Sequence, residues 1–216
     1  SSLLTVALAR LCLLDQLFAL TIALALGAWL LVHQRVWSRR GLWSFWAAAG
    51  LSTMVKGPAA LVMIGLVIFT YAAVSRQWKV LPATLSAVGL AVFAAIVLPW
   101  HIAVQNATGG SFLREFIVHQ NLQRAMGKDF HHNQHFLFYV PVYLAAFLPW
   151  SVYIPRAWSS LVHVRPSDKN GAASLFLGIW LAVVIVLFSL LRSKLPSYIY
   201  PALPPSALLI GALFAQ

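Results

Sequence analysis

Negative charge is what this chain has least of. Four Asp and Glu residues stand against fifteen Lys and Arg in 216 residues, a formal net charge of +11. Asp15, Glu115, Asp129 and Asp168 are the whole acidic complement. Chemistry that needs two carboxylates sharing acid–base work at one outer site has almost nothing to draw on. The single Cys12 excludes an internal disulfide. No Walker motif, dinucleotide fingerprint, Ser-His-Asp order or paired-aspartate diad occurs. No basic run interleaved with aromatics lies outside the apolar segments, which argues against a nucleic-acid partner. Charged residues make up only 9% of the chain, where a soluble domain carries about a quarter.

What the chain does have is apolar length. It is 61% hydrophobic with mean hydropathy +0.83. This is the composition of an all-α, polytopic helical membrane protein forming a single transmembrane domain over 1–216. A spanning helix needs about 20 apolar residues. Seven spans are predicted: Leu17–Val32, Leu42–Val55, Pro58–Val74, Leu81–Leu98, Phe136–Ile154, Ala172–Leu191 and Pro196–Phe214. Trp37, Trp43, Trp78, Trp100 and Trp158 fall near span ends, the usual place for interfacial anchors. The sequence begins inside apolar residues with neither an initiator methionine nor a signal peptide, so a fragment of a longer protein is expected.

The connections alternate in character. Residues 33–40 (HQRVWSRR), 75–79 (SRQWK) and 156–170 (RAWSSLVHVRPSDKN) are basic and read as cytoplasmic. Alternation of seven spans then puts Asp15, Lys56, the long stretch 99–135, Arg192 and Lys194 on the outer face. The basic loops hold only eight of the fifteen cations. The outer cations therefore resist the usual bias, and an anionic ligand would account for them.

Lys56-Gly57-Pro58 and Lys194-Leu195-Pro196 each place a lysine two residues before a proline that opens an apolar segment. Proline is favoured at the first helical position. Each lysine is thus expected beside a helix N-terminus, where free N–H groups, the dipole and an ammonium form an anion site. The alternative is two lysines snorkelling to the interface. In the outer stretch, Phe112, Phe116, Ile117 and Leu122 recur at helical spacing, predicting an amphipathic outer-face helix. Arg124 and His119 on it are candidates for phosphate contact, since the guanidinium fork suits phosphate oxygens. The alternative is a loop against lipid headgroups. His131, His132 and His135 lack an HExxH pattern and a nearby cysteine, so no metal or other cofactor is assigned.

Leu14-Asp15-Gln16-Leu17-Phe18, Val55-Lys56-Gly57-Pro58, Leu98-Pro99-Trp100-His101, the run 116–124 (FIVHQNLQR) and Ser193-Lys194-Leu195-Pro196-Ser197-Tyr198 occur in that order. Together they resemble the aminoarabinose transferase and protein O-mannosyltransferase superfamily of GT-C glycosyltransferases, over most of the chain. The resemblance implies a polyprenyl-phosphate sugar donor, a lipid or protein acceptor such as lipid A, and action at the periplasmic face of a bacterial inner membrane. It implies that Lys56, Arg124 and Lys194, with Arg192 and His119, stabilise the leaving phosphate. Tyr198 would bond phosphate or sugar, and Asp15 would orient a cation or a sugar hydroxyl. The family's main catalytic acid lies in an outer loop with no counterpart in this sequence, and Asp15 matches a later position. The chain alone is thus expected to be inactive. The competing class is a transporter or flippase for an anionic lipid, which would use the same cations without chemistry.

Overall fold

The computed structural model describes residues 2–3, 14–112, 115, 135–162, 169–191 and 194–215, with side chains omitted for 160–162 and 169–170. No strand occurs among the described residues. The helices are α1 (Leu14–His33), α2 (Gly41–Lys56), α3 (Ala59–Ser75), the short α4 (Val80–Thr84), α5 (Ala87–Ala107), α6 (Tyr139–Ala146), α7 (Ile154–Val162), α8 (Lys169–Leu190) and α9 (Leu203–Phe214). Single 3-10 segments at Phe136–Phe138, Trp150–Tyr153 and Pro196–Ala202 precede α6, α7 and α9. Among the described residues, four helical stretches are long and apolar enough to cross a membrane: Leu14–His33, Ala87–Ala107, Gly171–Leu190 and Pro196–Phe214. A fifth forms if Phe136–Ala146 and Trp150–Ser159, bent by 110°, count as one. Ala59–Ser75 is apolar but shorter.

The long helices are apolar all round, so partner geometry decides which face is buried. On α1, Phe18, Ile22, Leu26 and Trp29 are buried at helical spacing, while Leu17, Leu20 and Leu24 stay exposed. α1 packs most extensively on α2 and next on the 196–202 segment; α2 also packs on α5, and α8 on α9 and α3. Buried hydroxyls return to their own helix: Ser52 donates to the Ala48 carbonyl, Thr53 to Ala49, and Thr21 to Phe18, each at 2.9 Å. That is how a polar group is satisfied in an apolar interior.

Three boundaries differ from the sequence expectation. The predicted span 81–98 is interrupted: α4 ends at Thr84, Ser86 is extended, and its side chain caps a new helix by accepting from the Gly89 N–H at 3.2 Å. That helix runs through Pro99 to Ala107. A helix crossing apolar surroundings loses less by giving up one hydrogen bond at proline than by stopping and exposing several backbone groups. The span 136–154 is not straight but folds back at Phe147–Pro149. Of the predicted amphipathic helix only Phe112 and Glu115 are described; His119 and Arg124 lie outside the described residues, as do His131 and His132 beyond it and Arg192. His135 is described, and its Nδ1 accepts from the Leu137 N–H at 3.2 Å, capping the short 3-10 segment that leads into α6.

Candidate functional site

Asp15 stands in the first turn of α1 and Lys56 in the last turn of α2. A carboxylate near a helix N-terminus and an ammonium near a C-terminus each complement the dipole of their own helix. Because α1 and α2 form an antiparallel pair, these two ends meet, and the Lys56 ammonium forms an ion pair with Asp15 Oδ1. Asp15 is buried, and the Lys56 side chain is 25% exposed. Two aromatic rings complete the lysine's surroundings. Its Nζ lies 5.0 Å from the Phe18 ring centroid and 4.8 Å from that of Tyr198, both within cation–π range.

The expected placement of Lys56 beside the N-terminus of the next helix is therefore modified. Lys56 ends α2, Gly57 turns the chain, and Pro58 is the cap of α3 rather than its first residue. Gly57 has φ 69° and ψ −155°, a backbone region that only glycine occupies without strain. The turn aims Lys56 back across its own helix end to Asp15.

Lys194 is buried, and its ammonium donates to the Leu191 carbonyl at 2.6 Å, just beyond the C-terminus of α8. Pro196 does open a helix, as expected, but a 3-10 one whose cap is the extended Leu195. Tyr198, four residues after Lys194, carries the ring against which Lys56 rests. The structure thus brings Asp15, Lys56 and Tyr198 into one cluster and sets Lys194 at the head of the same 3-10 segment.

Sequence reasoning missed the support around this cluster. The Tyr139 hydroxyl donates to the Leu195 carbonyl at 3.0 Å and so ties α6 to the residue between Lys194 and Pro196. Phe188 packs against both Tyr198 and Tyr139, with centroids 5.6 and 6.3 Å away. Tyr143, one turn beyond Tyr139, meets Ser206 Oγ at 2.5 Å and fixes α6 to α9. The available signal was Tyr139 and Tyr143 at i and i+4 in an apolar run, two hydroxyls on one helical face that each need a partner. The Gln16 amide nitrogen, beside Asp15, is buried without a hydrogen-bond partner among the described residues.

An all-helical bundle of long apolar helices, with a partly buried ion pair where two of their ends meet, defines a polytopic membrane protein of the GT-C type. No family model matches the chain. It is 37% identical over 171 residues to an undecaprenyl phosphate-alpha-4-amino-4-deoxy-L-arabinose arabinosyl transferase of Pseudomonas aeruginosa strain UCBPP-PA14, covering 78% of this chain and 30% of the relative. With the protein of the same description from strain LESB58 the identity is 35% over 210 residues, 94% of this chain and 36% of the relative. Among solved structures, ArnT from Cupriavidus metallidurans bound to undecaprenyl phosphate superposes with TM-score 0.84 at 28% identity, over 94% of this chain and 37% of that one. Its apo state gives 0.78 at 26% identity. The chain belongs to the aminoarabinose transferase group of the GT-C superfamily, and it spans about a third of the length of these relatives.

Proposed function

We propose that this chain is the donor-binding membrane part of a glycosyltransferase. It would move a sugar from a polyprenyl-phosphate donor to a lipid or protein acceptor at the periplasmic face of a bacterial inner membrane. The observation that carries this reading is the likeness, over 94% of the chain, to a structure bound to undecaprenyl phosphate. Relatives at 35–37% identity are described as transferases using that carrier.

In the transfer step an acceptor oxygen bonds to the anomeric carbon as the bond from that carbon to the phosphate oxygen breaks, and a hydroxyl acceptor gives its proton to a general base. The departing polyprenyl phosphate gains negative charge. Fixed cations at that oxygen stabilise the transition state more than the ground state. Lys56 and Lys194 are assigned this role, with Arg124, Arg192 and His119 as further phosphate contacts and Tyr198 as a hydroxyl partner for phosphate or sugar. Asp15 acts through Lys56: the ion pair fixes the ammonium at the end of α2.

The test uses the complete protein in proteoliposomes with a polyprenyl-phosphate sugar labelled in both sugar and lipid. Sugar label should pass to the acceptor while free polyprenyl phosphate appears in equal amount. Lys56→Ala and Lys194→Ala should each raise the barrier by about 1–3 kcal/mol, the scale of a lost charge-assisted contact. Exposed Arg40→Ala should leave turnover unchanged. Movement of intact donor across the bilayer with no released phosphate would replace the transferase with a flippase.

A further inference from the structure

The opposite ends of the same helices enclose a cleft. Asp15 and His33 bracket α1, so the two ends are separated by ~27 Å at 1.5 Å per residue. The cleft has a volume of about 770 Å3, and Arg35, Arg39, Arg76 and Lys79 line it together with Trp29 and Trp78. No carboxylate lines it among the described residues.

Two of these cations stand in a costly backbone conformation. Arg35 (φ 59°) and Arg76 (φ 56°) are the only non-glycine residues with positive φ among those described. Each follows a helix C-terminus: the Arg35 N–H donates to the Val32 carbonyl at 3.0 Å, and Arg76 caps α3 through Ala72 and Ala73. Glycine is the favoured residue at such positions because it lacks the Cβ that makes a left-handed backbone unfavourable. Interfacial anchoring needs only positive charge somewhere in the loop. It explains neither the left-handed arginines nor the convergence of both on one cavity. Among the described residues, Arg39 donates to the Ala83 carbonyl at 3.3 Å. Arg35, Arg76 and Lys79 make no side-chain hydrogen bond or ion pair there.

The back wall of the cleft is preformed. The Trp29 indole N–H donates to Thr84 Oγ1 at 2.7 Å, and its ring stacks on His33 at 5.0 Å. His33 is in turn hydrogen-bonded to the Tyr71 hydroxyl at 3.1 Å. Val32, Leu42 and Val80 add apolar surface.

We propose that this cleft binds the phosphate headgroup of an anionic phospholipid, in the leaflet opposite the transfer site. Guanidinium forks match phosphate oxygens. The indoles and aliphatic side chains suit the glycerol and first methylenes of a lipid, which a free phosphate lacks. The volume lies within the range of sites that enclose a small molecule. An anionic leaflet supplies this ligand in abundance.

The test is native mass spectrometry of the complete, delipidated protein titrated with phosphatidylglycerol or phosphatidylcholine. Phosphatidylglycerol should be retained preferentially. The Arg35→Gly/Arg76→Gly variant should lose that preference by about tenfold or more. It should also keep or raise the melting temperature, because glycine suits both backbone positions. Lys79→Gln, which removes an exposed side chain only, is the second variant and should weaken retention in the same direction. Arg40→Gln, close by but outside the cleft, should retain the lipid normally. Equal retention of both lipids, a preference untouched by the glycine and glutamine variants, or the same loss in Arg40→Gln would overturn the proposal. Inorganic pyrophosphate binding that depends on Arg35 and Arg76, with no preference between the lipids, would also overturn it and assign the cleft to a soluble anion.

Discussion

Removing either partner of the Asp15–Lys56 pair should destabilise the fold, but unequally, and the inequality comes from the geometry. Deleting one member of a fully buried pair costs about 3–5 kcal/mol because the other charge is left uncompensated. Here the Asp15 and Lys56 side chains are 12% and 25% exposed, so solvent screens part of that cost, and about 1–3 kcal/mol is the working range. Each charge also sits at the favourable end of its helix, worth about 0.3–1 kcal/mol on either side, so this contribution cancels in the comparison. The rings do not cancel. In Asp15→Asn the ammonium keeps Phe18 and Tyr198, each worth about 0.5–1 kcal/mol. In Lys56→Met the carboxylate keeps no cation partner among the described residues. Lys56→Met should therefore cost about 1–2 kcal/mol more than Asp15→Asn. The double variant should be no worse than Lys56→Met alone, giving a coupling of at least about 1 kcal/mol. Reversible unfolding of the purified protein in mixed micelles measures all four corners of the cycle. An Asp15→Asn cost equal to or above that of Lys56→Met, or simple additivity, would refute an aromatic-supported ion pair.

Gly89→Ala should destabilise by about 1–3 kcal/mol, since an added Cβ would overlap Trp46 Cδ1, in a ring held by the Thr84 carbonyl at 3.1 Å; Gly27→Ala, with nothing within 4 Å, should be neutral or better in the same unfolding assay. Gly57→Ala should cost about 1–3 kcal/mol of strain and lower sugar transfer, because the turn that aims Lys56 at Asp15 uses a glycine-only conformation. Tyr139→Phe, which removes one hydrogen bond to the Leu195 carbonyl, should cost about 1 kcal/mol of stability and lower kcat more than it raises the donor KM, read from steady-state transfer. Cysteines placed at Thr108 and Ser38 of a Cys12→Ser background should differ in intact cells, with only the first labelled by an impermeant maleimide; labelling of both would reject the proposed orientation.

The apolar segments were legible because composition and length alone specify them. Each of the seven predicted spans has helical counterparts in the structure. Their interruptions were harder to read. Ser86 before Ala87–Val88–Gly89 is a cap signal, but it sits inside a run hydrophobic enough to mask it. Pro99 points to a break where none occurs, whereas the sharpest bend comes between Ala146 and Trp150, where Phe147-Leu148-Pro149 looks no different from Val97-Leu98-Pro99. Local sequence cannot separate these two prolines, because packing sets the course of the chain: α5 lies along α2 up to its proline and runs on, while α6 turns where Tyr143 is fastened to Ser206 on α9. The lysines of the candidate site were found by their spacing to proline. Asp15 was expected to orient a cation, but not which one, since it lies 41 positions from Lys56; Tyr139, 56 positions from Leu195, was not found at all.

That long-range pairing also changes what the lysine can do. A bare ammonium at a helix N-terminus would attract any anion. Lys56 is already neutralised by Asp15, so its net pull on a distant phosphate is small. It still has three N–H donors, and one carboxylate oxygen occupies one of them. On the proposed reading, the remaining donors lie between Phe18 and Tyr198, in a slot that admits a phosphate oxygen only when the lipid carrier seats beside the rings. The pair then favours the charge that develops on the leaving oxygen over any anion that reaches the membrane surface. This selectivity suits the compact ammonium of lysine. An arginine in the same slot would turn its planar fork onto both oxygens of Asp15 and leave fewer donors for the phosphate.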